Sequence, residues 1–261
     1  MTRKGEGAIP LEIAYCGPAP LPGDWLARWN VDPVLLTVLA LCALWAFRLP
    51  GRARFSAFSA LTVLTIVFVS PLCALSSALF SARSVHHILL VTVAAPLLAA
   101  ALPKRDPRDG QTSNGAALPF ALSTLVLWAW HLPGFYTAAL ESTPLYWVMQ
   151  ASLFGTALWF WRSVLHARAS MPLAALTLAA AAGQMGLLGA ILTFAPEPLY
   201  PHHWLAPLTY GLSPLEDQQL AGLIMWVPAM LPYAAAAMLI ARRAWPQESL
   251  SQAGTAATGL Q

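Results

Sequence analysis

Seven runs of about twenty apolar residues, parted by short gaps rich in Pro, Gly and cations, constrain this chain more than anything else in it. They cover roughly 32–48, 57–79, 86–102, 116–132, 144–162, 172–195 and 218–241. About 20 apolar residues in a helix are needed to cross the hydrocarbon core of a bilayer. The gaps "RLPGR", "LPKRDPRDG", "HLPGF" and "FAPEPLYP" carry the residues that break helices. The pattern predicts an all-α polytopic membrane bundle of seven transmembrane helices. It divides the chain into an N-terminal segment, 1–31, a seven-span domain, 32–243, and a tail, 244–261, expected to be disordered. No internal repeat stands out.

Composition agrees. Hydrophobic residues make up 58% of the 261 and charged residues 10%, against about 25% charged in a soluble domain. Mean hydropathy is +0.61. A separate soluble domain has no room. The net charge of +3 sits in short loops without a basic face, so nucleic acid is not an expected partner. Cys16, Cys42 and Cys73 form no CxxC pair, which excludes a zinc ribbon and a thioredoxin-like motif. The N-terminus has no apolar core after its basic start, so the first span is expected to direct insertion. No nucleophile–base set or phosphate loop indicates an enzyme.

Cations set the orientation. Arg48, Arg52 and Arg54 occupy the first connection, Lys104, Arg105 and Arg108 the third, Arg162 and Arg168 the fifth, and Arg242 and Arg243 the tail. The alternate connections hold only Arg83. The N-terminus is therefore expected outside and the C-terminus in the cytoplasm, although Arg3, Lys4 and Arg28 precede the first span.

That topology sorts the ionisable residues. His86 and His87 open the third span, His131 closes the fourth, Asp217 opens the seventh, and His202 and His203 lie in the sixth connection, all on the outer side. An ionisable group at a membrane helix end is a functional-site candidate. Imidazole with carboxylate suits copper, zinc, nickel or iron. His87, His131 and Asp217 approach one surface from three helices. His86 and His87 lie about 100° apart on a helix, so one of the two is expected to face inward. The plain alternative is that each His is interfacial, and His202 and His203 are read that way. Asp217 or Ser213 can also cap the last helix. Deeper in the bundle, Cys73, Met185 and Met225 offer soft ligands that select Cu(I); equally, they are core fillers. Gly183, Gly186 and Gly189 mark a close helix contact, and Gln184 is expected to bond across helices. The many Trp residues read as interfacial belts.

The segments "HHILLVTVAAPLLAAALP", "WAWHLPGFYTAAL", "LWFW", "LGAILTFAPEPLYP" and "LSPLEDQQLAGLIMWVP" occur in an order that closely resembles the CtaG-like cytochrome c oxidase assembly factors, a seven-span membrane family. The resemblance covers about residues 32–243. It implies a multi-pass protein of the bacterial inner membrane that serves a haem–copper oxidase subunit, with copper, as Cu(I), bound and delivered. Its motif positions fall on His87, His131 and Asp217, with His86 as a further ligand. Met185, Met225 and Cys73 would form a relay. The chain departs from the pattern at Arg83 and Gln150, where many relatives carry His. A haem-binding redox protein and a metal-free scaffold for oxidase subunits are the alternatives. A homo-oligomer is left open.

Overall fold

The computed structural model describes residues 15–103, 116–166 and 171–242. The tail, the first fourteen residues, and Lys104, Arg105, Arg108, Arg168 and Arg243 lie outside the described residues. Among those described, the fold is all helix.

In chain order the helices are α1 (Pro33–Phe47), α2 (Gly51–Phe68), α3 (Pro71–Ala78), α4 (Phe80–Ile88), a π-helical stretch (Leu89–Ala94), α5 (Ala95–Ala101), α6 (Ala117–Trp130), α7 (Pro133–Glu141), α8 (Thr143–His166), α9 (Met171–Phe194), α10 (Ala206–Thr209) and α11 (Pro214–Trp226). Four stretches are long and apolar enough to cross a membrane: Gly51–Phe68, Phe80–Ala101, Pro172–Phe194 and Pro214–Arg242. A fifth is added if α6 and α7, bent by 75° at the break between them, form one broken span. By length and composition this is fewer than the expected seven. α1 has only 15 residues. The fourth run gives only the 14 residues of α6 before "HLPG", where Pro133 starts a new helix. α8 has 24 residues, but Gln150, Arg162 and its Trp and Tyr residues dilute its apolar character.

Local chemistry fixes the breaks. Asp32 caps α1 by accepting from the Val34 and Leu35 amides, with Pro33 at the first helical position. Ser70 caps α3 before Pro71. Ser213 and Glu216 form a reciprocal capping box on α11, so of the two cap candidates there, Ser213 is the one used.

Close helix contact occurs where the small residues predict it. A Cβ on Gly189 would lie 2.7 Å from the Gly222 carbonyl oxygen, and one on Gly186 would lie 2.8 Å from Met230. Gly183 faces open space. Gln184 accepts from the Trp128 indole at 2.9 Å, across α9 and α6.

Two covalent or local features were not expected. Cys16 and Cys73 form a disulfide, Cα–Cα 5.2 Å, that ties the N-terminal segment to α3. Cys73 is therefore neither a plain core filler nor a free soft ligand in this state. Trp161 is buried rather than interfacial. Its indole donates to the Val91 carbonyl at 2.8 Å, one of the carbonyls within the wider π turn.

Candidate functional site

The site is built around α4. Every residue of Phe80–Ile88 except Val85 is buried, because α3 and α11 pack against this helix and α8 and the loop before α11 close over it. A segment as polar as "FSARSVHHI" in that position must find partners for its backbone and side chains.

Asp217 supplies the first of them. Its carboxylate accepts from the Phe80 amide at 2.6 Å, the Ser81 amide at 3.1 Å and the Ser81 hydroxyl at 2.5 Å. These amides are the donors that the start of α4 leaves free. Leu79, at the cap position, has no oxygen to give them. Asp217 thus caps α4 from another helix, and its charge complements the dipole there. Beside it, Gln218 accepts from the Leu199 amide at 2.6 Å and donates to the Leu192 and Glu197 carbonyls. It pins the loop after α9.

The expected triad joins Asp217 to His87 and His131. His87 lies six residues beyond Ser81, about 9 Å further along the axis at 1.5 Å per residue, and both Asp217 oxygens accept hydrogen bonds at the helix start. Among the described residues, no group of three or more His, Cys, Asp or Glu is arranged to hold a metal ion.

The histidines do converge. The rings of His86 and His87 are 5.6 Å apart, centre to centre, and those of His87 and His131 are 6.1 Å apart. His86 and His87 are both buried, at 0% and 4% exposure. That corrects the expectation of one inward ring: α4 has no lipid face, so both sides of it are interior. The helix also starts six residues earlier than expected, which sinks the pair two turns below its end. His131 is the C-cap residue of α6. Its Nδ1–H donates to the Leu127 carbonyl at 2.7 Å, since a carbonyl can only accept. That bond leaves a lone pair on Nε2 and orients the ring, as outer partners of metal-binding histidines do.

Nearly all the buried side-chain polar atoms without a partner among the described residues lie on α3, α4 and α8. They are Ser77 Oγ, Arg83 Nε and Nη1, Ser84 Oγ, both ring nitrogens of His86, His87 Nε2, both amide atoms of Gln150 and, near the other end of α8, Arg162 Nε. Buried polar groups are rarely left unmatched. The concentration marks a buried polar cluster, here called the polar chamber, among α3, α4 and α8. Arg83 and Gln150, the two departures from the family pattern, line it beside His86 and His87. The Arg83 guanidinium lies 5.5 Å from the centre of the Tyr146 ring. The Tyr146 hydroxyl is 3.4 Å from Cys16 Sγ, so the disulfide forms part of the wall.

Met185 borders a small cavity with Gln184, Ser123 and Leu127, and Met225 is in the main core. The outer loop holds a residue that the sequence underrated. His203 is 3% exposed, accepts from the Tyr136 hydroxyl at 2.7 Å and donates through Nδ1 to the Ala78 carbonyl at 3.2 Å. His202 follows the interfacial reading more closely, being only partly buried.

Burial, then the neighbouring His202, pushes the His203 pKa down to about 3. The folded imidazole refuses a proton that the unfolded one accepts at about 6.5. Stability is therefore present above pH 6.5 and is lost as pH falls towards 3, by up to about 1.4 kcal/mol per unit. Thermal unfolding of detergent-solubilised protein between pH 7 and 5 checks this. The midpoint should fall, and His203→Asn should flatten the fall. An equal fall in the variant would assign the effect elsewhere.

No curated protein and no solved structure matches the chain. A family model described as cytochrome c oxidase caa3 assembly factor matches residues 115–247. The match spans His131, Gln150, Met185, Asp217 and Met225, and stops short of α4. With half of its length so matched, the chain belongs to the cytochrome c oxidase caa3 assembly factor family.

Proposed function

We propose that this chain binds Cu(I) at an outward-facing imidazole site and delivers it, without catalysis, to a haem–copper oxidase subunit in the same membrane. The carrying observation is the set of free nitrogens at His86 and His87 beside the His131 ring. Neutral imidazole is a good ligand for copper. An ion of low charge is also the easier one to bring out of water. Asp217 builds the site by fixing the start of α4, rather than by ligation. Met185 would accept the ion only in a later transfer.

In this reading the chain is a seven-span protein of the inner membrane with its N-terminus outside. The disulfide supports the orientation, because such bonds persist in oxidising compartments. Arg48, Arg52, Arg54 and Arg162 lie at the opposite ends of their helices from Cys16, Cys73 and Tyr146, as cytoplasmic cations should.

In a strain that depends on this chain for oxidase assembly, His87→Ala combined with His131→Ala should lower the copper bound per oxidase roughly tenfold or more. The variant should accumulate normally in the membrane. Fully metallated oxidase would favour the metal-free scaffold, a reading that the lack of a three-ligand cluster among the described residues also supports.

A further inference from the structure

The geometry points to a binding site for a compact monovalent anion, a halide or small carboxylate, at Arg83 in the polar chamber. Arg83 is 1% exposed. A guanidinium is a permanent cation with five donors and no acceptor. Here Nε and Nη1 find no acceptor among the described residues. The Tyr146 ring face and the hydroxyls of Tyr136 and Tyr146 offer neutral compensation only.

No carboxylate among the described residues answers the charge. The one ion pair among the described residues joins Arg28 to Asp24 at the exposed rim. Asp217 is the nearest acid on a packed neighbour of α4, and both its oxygens are taken by Phe80 and Ser81. The other titratable groups facing the chamber are imidazoles and tyrosines, which supply no fixed negative charge. Water could satisfy the hydrogen bonds but would leave the charge, and a lone buried charge is far more costly than an unpaired dipole.

The chamber also offers donors suited to an anion. The Gln150 amide and the Ser84 hydroxyl are buried without partners. With Arg83, they come from two different helices. The burial excludes a bulky occupant. A partner's side chain would have to part the Tyr15–Tyr146 stack, whose rings are 5.0 Å apart beneath the disulfide. A small ion need not.

This inference stands without the copper reading, and its test uses metal-free protein. The full chain in detergent is melted at constant ionic strength in chloride, bromide, formate or gluconate, the last being too large to enter. Wild type should show a saturable rise in midpoint with the small anions, roughly 3 °C per tenfold above half-saturation. Arg83→Gln should lose that rise, and Arg83→Lys should keep part of it. Should Arg83→Gln fail to fold, anomalous scattering from wild-type crystals grown in bromide gives the answer, with a peak expected against the guanidinium. Equal midpoints in all four anions, an undiminished rise in Arg83→Gln, or no bromide at Arg83 would overturn the proposal. If the anion binds, Arg83 is neutralised beside His86 and His87, and a monovalent metal cation there no longer meets an opposed charge.

Discussion

Asp217→Ala should be among the most damaging single substitutions in this chain, and its damage should fall on folding before metal. It removes the acceptor for two amides and a hydroxyl that have no other described partner. Hydrogen bonds to a charged group contribute about 1.5–3 kcal/mol each. Buried donors stripped of their acceptor also carry their own desolvation cost. The expected loss is about 3–5 kcal/mol, enough to loosen α4 from α11. The readouts are accumulation in the membrane and the thermal midpoint in detergent. Asp217→Asn keeps an acceptor and should cost about half as much. A stable Asp217→Ala protein that had lost only its metal would contradict this placement and restore the carboxylate as a ligand.

Gly222→Leu should be comparably severe, for a steric reason. Even a methyl group at residue 222 would overlap the Thr193 hydroxyl and come within 2.5 Å of the Gly189 carbonyl oxygen. Both contacts lie on α9, and the second is backbone, which cannot rotate away. The two helices must part, which loosens the packing on which such contacts depend. Overpacking costs typically about 1–3 kcal/mol. For Gly222→Ala that range is expected, and for Gly222→Leu more. Gly183→Ala is the matched control, since its Cβ meets nothing within 4 Å. The comparison is read by accumulation and thermal midpoint. Equal behaviour of Gly183→Ala and Gly222→Ala would refute the tight α9–α11 contact.

Much of the fold was legible because hydropathy and helix breakers act locally. The bounds of α1, α6, α8 and α9 lie within a few residues of the runs read from the sequence. Gly186 and Gly189 announced their contact through the same local logic, as Gln184 did its cross-helix bond. What was not legible came from partners far away in the chain. "FSARSV" falls in the gap before the third run, yet it is helix from Phe80, because Asp217 caps it from a position 137 residues later. That cap is the role the structure shows for the acid at the start of the last span. The same distance hid the Cys16–Cys73 bond, where no CxxC spacing gave a signal.

The site was half legible. Polarity at membrane depth singled out His87, His131 and Asp217, and the structure brings two of the three together. His86 entered as a lesser member, because a single exposed face was assumed for α4. Burial on all sides makes both rings interior. Arg83 stood out only as a lone cation among the outer connections and as a departure from a family pattern, whereas the structure buries it among unmatched donors. Span counting falls short at α6 and α7 because the chain bends by 75° at Pro133, where the fourth run stops, and neither helix alone is long enough to cross.

The most direct test of the imidazole site is Cu(I) stoichiometry on the purified full chain, by competition with a chromophoric Cu(I) chelator under anaerobic conditions. Three proteins are compared: wild type, the combined His86→Ala, His87→Ala and His131→Ala variant, and Asp217→Asn. The account predicts one ion per wild-type chain, loss of that ion in the histidine variant, and retention in whatever fraction of Asp217→Asn is folded. A histidine variant that binds Cu(I) as wild type does, or a wild type that binds none, would contradict it.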